Sequence, residues 1–188
     1  MIRERAVLVG RHREMAQEEA SGVDRALFRR VMGSFATGVT VITTEARGEI
    51  RGMTANAFMS GSLEPPLCVV SVGKRARLHP CLIEAGHFGV SILAKDQEKL
   101  SLHFSGGPVA DLEPQFVRIG RTPLLTNAAA IIAANVVAQH ECGDHTLFIG
   151  AIVHLQAFSR TPLVVHEGHY ASLTYSLERA PQWVGDFW

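Results

Sequence analysis

Apolar residues fall at Leu27, Phe28, Val31, Met32 and Phe35, offsets of i, i+1, i+4, i+5 and i+8 that draw one stripe along an α-helix. Asp24, just ahead of them, can accept bonds from the free first-turn N–H groups, so the pattern predicts a helix capped there and finished by Gly38. Beyond Gly38 the period shortens. The β-branched run GVTVITT, a polar stretch from Glu45 to Glu49 containing Gly48, and the segment IRGMTANAF together predict a hairpin. Further strands are predicted at Leu67–Val72, Phe88–Leu93, Ile131–Glu141, Thr146–Phe158 and Leu163–His166. Two short helices interrupt them, near Ala76–Glu84 and over Asp96–Phe104, where Asp96 is the expected cap and Leu100 and Phe104 share a face. Many strands with few helices predict a mainly β chain, an antiparallel barrel or sandwich rather than a doubly wound sheet. No GxGxxG or GxxxxGK[ST] is present, so any nucleotide is held in another way.

A length of 188 residues favours one domain with a single core. Its expected limits are 23–178, preceded by a flexible N-terminal arm (1–22) of mixed charge and followed by a C-terminal tail (179–188). Lys plus Arg and Asp plus Glu are balanced at 18 each, which gives no electrostatic reason to expect nucleic acid or an anionic membrane as partner. The longest apolar runs fall far short of a spanning helix, the N-terminus lacks the pattern of a secretory signal, and the default location is cytoplasmic. Cys68, Cys81 and Cys142 have no CxxC spacing, and buried reduced thiols are expected. His140, Cys142 and His145 match no standard zinc site, so no metal is expected.

Three constellations carry candidate chemistry. In Gly52–Leu67 the small polar residues Thr54, Asn56, Ser60 and Ser62 alternate with Ala55, Ala57 and Gly61, a composition that lets backbone approach a flat ligand and that equally serves a polar turn. Ser71–Pro80 runs from a strand end through Lys74, Arg75 and Arg77 into a helix start, which is either a phosphate site or a solvated basic turn. Asp144-His145, at the turn between the two longest predicted strands, can fix an imidazole tautomer for contact with a nicotinamide or flavin edge, or can be an ordinary hairpin turn. No nucleophile elbow is present, and Cys68 and Cys81 sit in apolar segments as packing residues.

The segments FRRVMGSFATGVTVITT, RGMTANAFMSGSLEPPLCVVSV, HFGVSILAKDQEKLSLHFS, GDHTLFIGAIV and PLVVHEGHYASL follow one another in an order that resembles the flavin reductase-like family, over residues 24 to 175. Within it the resemblance is to the small reductase components of two-component flavin-dependent monooxygenases. It implies a six-stranded antiparallel Greek-key split β-barrel, a homodimer, bound FMN or FAD, and NADH or NADPH as cosubstrate. It also implies that Thr54, Ala55, Asn56, Ala57, Ser60 and Ser62 line the isoalloxazine and ribityl chain, and that Ser71, Lys74 and Arg77 face the phosphate. His145, backed by Asp144, would meet the nicotinamide, and Phe104 would sit near the flavin. The likeness departs at His169, where many relatives carry Arg before the aromatic residue (here Tyr170), and over Ser105–Ile119.

The expected activity is therefore hydride transfer from nicotinamide to flavin, with reduced flavin passed to a separate oxygenase. A flavin-bound reductase of another acceptor, such as a cobalt corrinoid, and an FMN-binding electron-transfer module without nicotinamide turnover remain alternatives. The Asp144-His145 pair favours the first over the last, since a passive carrier has no use for a nicotinamide contact.

Overall fold

A computed structural model describes residues 22–174. The expected tail at 179–188 lies outside the described residues, as does the expected arm except for Gly22. Among the described residues two compact units are present, one holding residues 22–36 together with His166–Gly168, the other Thr37–Val165 and residues 169–174.

In the smaller unit, α1 (Arg25–Gly33) begins where expected. Asp24 caps it, its carboxylate accepting from the N–H groups of Ala26 (3.1 Å) and Leu27 (3.2 Å). The helix ends at Gly33, before Gly38 as expected, and the Gly33 carbonyl accepts from the Glu167 N–H.

The larger unit is built on a seven-stranded antiparallel sheet: β2 (Thr40–Ala46), β3 (Glu49–Ala55), β4 (Phe58–Ser62), β5 (Leu67–Gly73), β6 (His87–Ile92), β9 (Ala130–Cys142) and β10 (His145–Ala157). Its order is β3-β2-β6-β9-β10-β5-β4, with the β9–β10 hairpin inserted between β5 and β6 in Greek-key fashion. The class is mainly β as expected, with seven strands in this sheet where six were expected. The seventh is β4, which shares the IRGMTANAF segment with β3. Arg47 and Gly48, both at positive φ (53° and 76°), make the tight turn between β2 and β3. Helix α2 (Leu78–Ala85) bridges β5 and β6, and α3 (Glu98–Phe104) follows a 3₁₀ turn at Lys95–Gln97.

β3 and β4 are the two ends of the hydrogen-bonded order, yet only Asn56 and Ala57 separate them in the chain. The sheet must therefore curl until its edges meet. The core records this closure: Ile42, Val70, Val72, Phe88, Val90, Ala134 and Phe148 form one buried cluster with Leu78 and Leu82 of α2, and Met53, Ala55 and Phe58 pack against it. Every strand of the sheet contributes to that cluster. Ile42 points into it, whereas its neighbour Val41 points out into a second cluster with Val39, Leu93, Leu125 and Leu163, where Leu100 and Phe104 of α3 also pack. β2 is buried on both faces, which is why its sequence reads as a continuous β-branched run.

Several expectations are corrected. Asp96 does not cap the helix: it lies inside the 3₁₀ turn, and the Arg160 guanidinium beside it holds its carboxyl below the usual carboxylate range. The helix has no side-chain cap, and Gln97 Oε1 instead accepts from the Ala94 N–H at the entry to the 3₁₀ turn, at 3.0 Å. Cys68 is buried and its thiol is pushed up to about 11, but Cys142 is exposed. A hairpin of β7 (Phe116–Ile119) and β8 (Thr122–Leu125) was not anticipated, nor were β1 (Thr37–Gly38) and β12 (His169–Ala171), which flank β11 (Val164–His166), the strand expected at Leu163–His166, in a three-stranded sheet.

The β7–β8 hairpin is fastened to β2 and β6 by side chains. Thr43 Oγ1 donates to the Pro123 carbonyl (2.5 Å), the Leu125 N–H donates to Ser91 Oγ (2.9 Å), and Thr122 Oγ1 meets His87 Nδ1 (3.3 Å). His87 is 3% exposed. Burial, helped by the Arg121 charge and opposed by Glu45, holds its imidazole below the ordinary value and hence neutral. The unfolded chain binds a proton to this residue at a higher pH than the folded one. Its contribution to stability is thus complete above the ordinary imidazole pKa and is lost as pH falls through the depressed folded value. We expect the urea midpoint to drop between pH 7 and pH 5, with a smaller drop in His87→Gln; equal drops would remove His87 as the cause.

Candidate functional site

The strand alternation sorts the candidate residues by face. On β5, Val70 and Val72 point inward, so Leu67, Val69, Ser71 and Gly73 point outward. On β10, Thr146 and Phe148 are buried and His145 stands on the outer face, directly opposite Gly73. Ser71 and His145 thus share one surface. Ala57 joins them there, since its carbonyl accepts from the Ser71 N–H at 3.0 Å.

The outer face of β3 carries Gly52 and Thr54 and is covered by α3. Thr54 Oγ1 donates to the Ser101 carbonyl at 2.6 Å, and Tyr170 Oη donates to Ser101 Oγ at 2.9 Å. A Cβ at Gly52 would come within 2.7 Å of the Phe104 ring, so the glycine is what lets Phe104 lie on the strand. Thr54 and Phe104 are therefore brought together at one sheet edge, and Ser71 and His145 at the other side of the Asn56–Ala57 connection. Ala55 points inward and packs against the core. It is a wall residue, not a contact surface.

β4 is an edge strand, paired only with β5, and from Met59 to Ser62 it is exposed. Ser62 pairs with Leu67 beyond an irregularity in register after Ser60, next to Gly61. The outer backbone groups of this strand are open, as are the hydroxyls of Ser60 and Ser62 and the amide of exposed Asn56. Met59, 60% exposed, adds an apolar surface between them.

At the β9–β10 turn the predicted pair is present. Asp144 Oδ1 lies 2.7 Å from His145 Nδ1. A carboxylate only accepts, so Nδ1 carries a proton, and the lone pair of the neutral tautomer this selects is at Nε2. That nitrogen faces Gly73, where a Cβ would sit 3.6 Å from it, so the glycine leaves the acceptor uncovered.

The basic segment is placed differently. Lys74 follows Gly73 in the turn just past the end of β5, at the sheet margin, and pairs with Glu141; its backbone N–H donates to the Asp144 carbonyl at 2.9 Å. Arg77 is exposed at the start of α2. Two residues escaped the sequence reading here. His79 Nε2 meets Thr146 Oγ1 at 2.9 Å while its ring packs edge-on against Phe148 (centroids 5.5 Å apart), tying α2 to the first turn of β10. Glu141 could have been found from the hairpin register, which sets it opposite Thr146. His79 had no such signal.

Among the described residues no three His, Cys, Asp or Glu side chains gather as a metal site. No helix of those residues is long and apolar enough to cross a membrane. A cleft of about 520 Å³ lined by Ala94, Lys95, Asp96, Arg160 and Thr161 shares none of the residues above, and its Asp96 and Arg160 neutralise each other.

Comparison with known proteins bears on the same segments. Residues 32–174 match the family model for the flavin reductase like domain. An NADH-dependent flavin reductase from a Rhodococcus species is 45% identical over 148 residues, covering 77% of this chain and 84% of the relative. The reductase component of 4-hydroxyphenylacetate 3-monooxygenase from Thermus thermophilus is 37% identical over 139 residues, covering 74% and 89%. The Streptomyces globisporus NADH:FAD oxidoreductase, solved in complex with NAD and FAD fragments, superimposes with a TM-score of 0.77 at 36% identity over 82% of this chain and 96% of that one. With the closed seven-stranded sheet and a matching family model over most of its length, the chain belongs to the flavin reductase like domain family.

Proposed function

We propose that this chain is an NADH-dependent flavin reductase that supplies reduced FMN or FAD to a separate flavin-dependent oxygenase. The observation that carries the reading is the donor set around the β3–β4 connection: open backbone groups on an edge strand, the Asn56 amide, the Ser60 and Ser62 hydroxyls and an exposed Met59 side chain. A flat ring system with alternating carbonyls and ring nitrogens needs such a set, polar at its rim and apolar at its face. The residues fit a flavin.

Asn56, Ala57, Ser60 and Ser62 would hold the ring and ribityl chain, Ser71, Lys74 and Arg77 the phosphate, with Thr54 and Phe104 setting the wall on the α3 side. When bound, the flavin supplies the ring nitrogen that accepts hydride from nicotinamide C4. Asp144 keeps Nδ1 of His145 protonated and fixes the ring plane, and Nε2 accepts a hydrogen bond from the carboxamide N–H of the nicotinamide. Direct hydride transfer requires no side-chain acid or nucleophile. Its contribution is to hold two rings in register, which is worth several orders of magnitude in rate.

Homodimer formation is part of the proposal. Val137, Val153 and Leu155 of the β9–β10 hairpin are exposed to 58%, 61% and 64%, an apolar face of the kind a second copy covers. A cytoplasmic location fits a reaction fed by NADH. The test mixes the purified full-length chain with NADH or NADPH and with FMN, FAD or riboflavin, following loss of nicotinamide absorbance. NADH oxidation that depends on added flavin is the expected result; no oxidation of either coenzyme with any flavin would overturn the reading.

A further inference from the structure

We infer that Glu141 tunes flavin release by competing with the flavin phosphate for Lys74. The inference rests on the proposed role of Lys74 as a phosphate contact. In the ladder, Val72 of β5 lies opposite Thr146 of β10, and Thr146 lies opposite Glu141 of β9. These three residues form one cross-strand row on one face of the sheet. Lys74, in the turn just past the end of β5, reaches Glu141 at the sheet margin as an ion pair. Its backbone is held by the bond from its N–H to the Asp144 carbonyl.

The lysine side chain is 38% exposed and the glutamate 71%, so the pair sits in water. A solvated pair of this kind is weak and breaks readily. Glu141 is therefore a competitor for the ammonium, not a lock upon it. A phosphate dianion displaces the carboxylate when flavin binds, and the carboxylate recovers the lysine when flavin leaves. Each binding event gives up the pair and each release regains it, which lowers affinity for phosphate-bearing flavins without touching the ring contacts. A reductase whose product must reach another protein gains from such a bias, because release closes the cycle.

The experiment measures dissociation constants of FMN and of riboflavin, which lacks the phosphate, for the full-length chain and for Glu141→Gln and Lys74→Met. Glu141→Gln is expected to bind FMN about three- to fivefold tighter, the range an exposed ion pair allows, with riboflavin unchanged. Lys74→Met is expected to lose most of the preference for FMN over riboflavin. If Lys74→Met weakens FMN and Glu141→Gln does not tighten it, competition is wrong while the phosphate contact stands. If Glu141→Gln tightens both flavins equally, the effect is not at the phosphate and the inference falls. If Lys74→Met leaves the preference intact, the phosphate contact falls and the inference with it.

Discussion

Substituting His145 by alanine is expected to lower the maximal rate of NADH oxidation about 10- to 100-fold, the effect of removing one hydrogen bond that aligns a reacting group. FMN affinity should change less than about twofold, because the groups proposed to hold the ring lie on β4 and at the β3–β4 connection while His145 stands on β10. The aim of the imidazole depends on Asp144, so Asp144→Asn should move the rate in the same direction: an amide can donate to Nδ1 and shift the proton to Nε2, which then no longer accepts. Single-turnover kinetics at saturating flavin separate the two steps. An unaltered rate of flavin reduction in His145→Ala would take this residue out of the reaction.

A second large effect is expected at Phe148, whose side chain is fully buried in the central cluster contacted by every strand of the sheet. Phe148→Ala should cost about 3–5 kcal/mol, from lost transfer energy and from a cavity that the closed sheet cannot collapse. His79 would lose the ring it packs against, loosening the attachment of α2 beside the candidate site. Chemical denaturation measures the loss. A cost below about 1 kcal/mol would mean that the barrel interior is less tightly packed than its burial indicates.

How much of this could be read from the residues alone depends on where each contact partner lies in the chain. β2 announced itself because both its faces are buried, and the β9–β10 hairpin because two 13-residue strands flank Gly143 at positive φ. The Asp144-His145 pair was legible for the same reason, its partners being adjacent. β4 was read as part of a longer segment or as a polar turn, since an exposed edge strand carries small polar residues instead of an apolar alternation. The β7–β8 hairpin escaped because it has short strands containing Pro123 and is held by bonds from Thr43 and Ser91, 80 and 34 residues away. Lys74 looked like a free cation in sequence; its partner is 67 positions distant. Thr54 looked like a ligand group, and its hydroxyl is spent on α3.

The way the sheet closes has a mechanical result. Between β3 and β4 the described ladder has no rung, for each of these strands bonds only to its neighbour on the other side. What holds the wall together along that line is packing, since Met53 and Ala55 on one side and Phe58 on the other rest on the same core cluster. The barrel thus has one line held by side chains alone, while six bonded strand pairs hold the rest of its circumference.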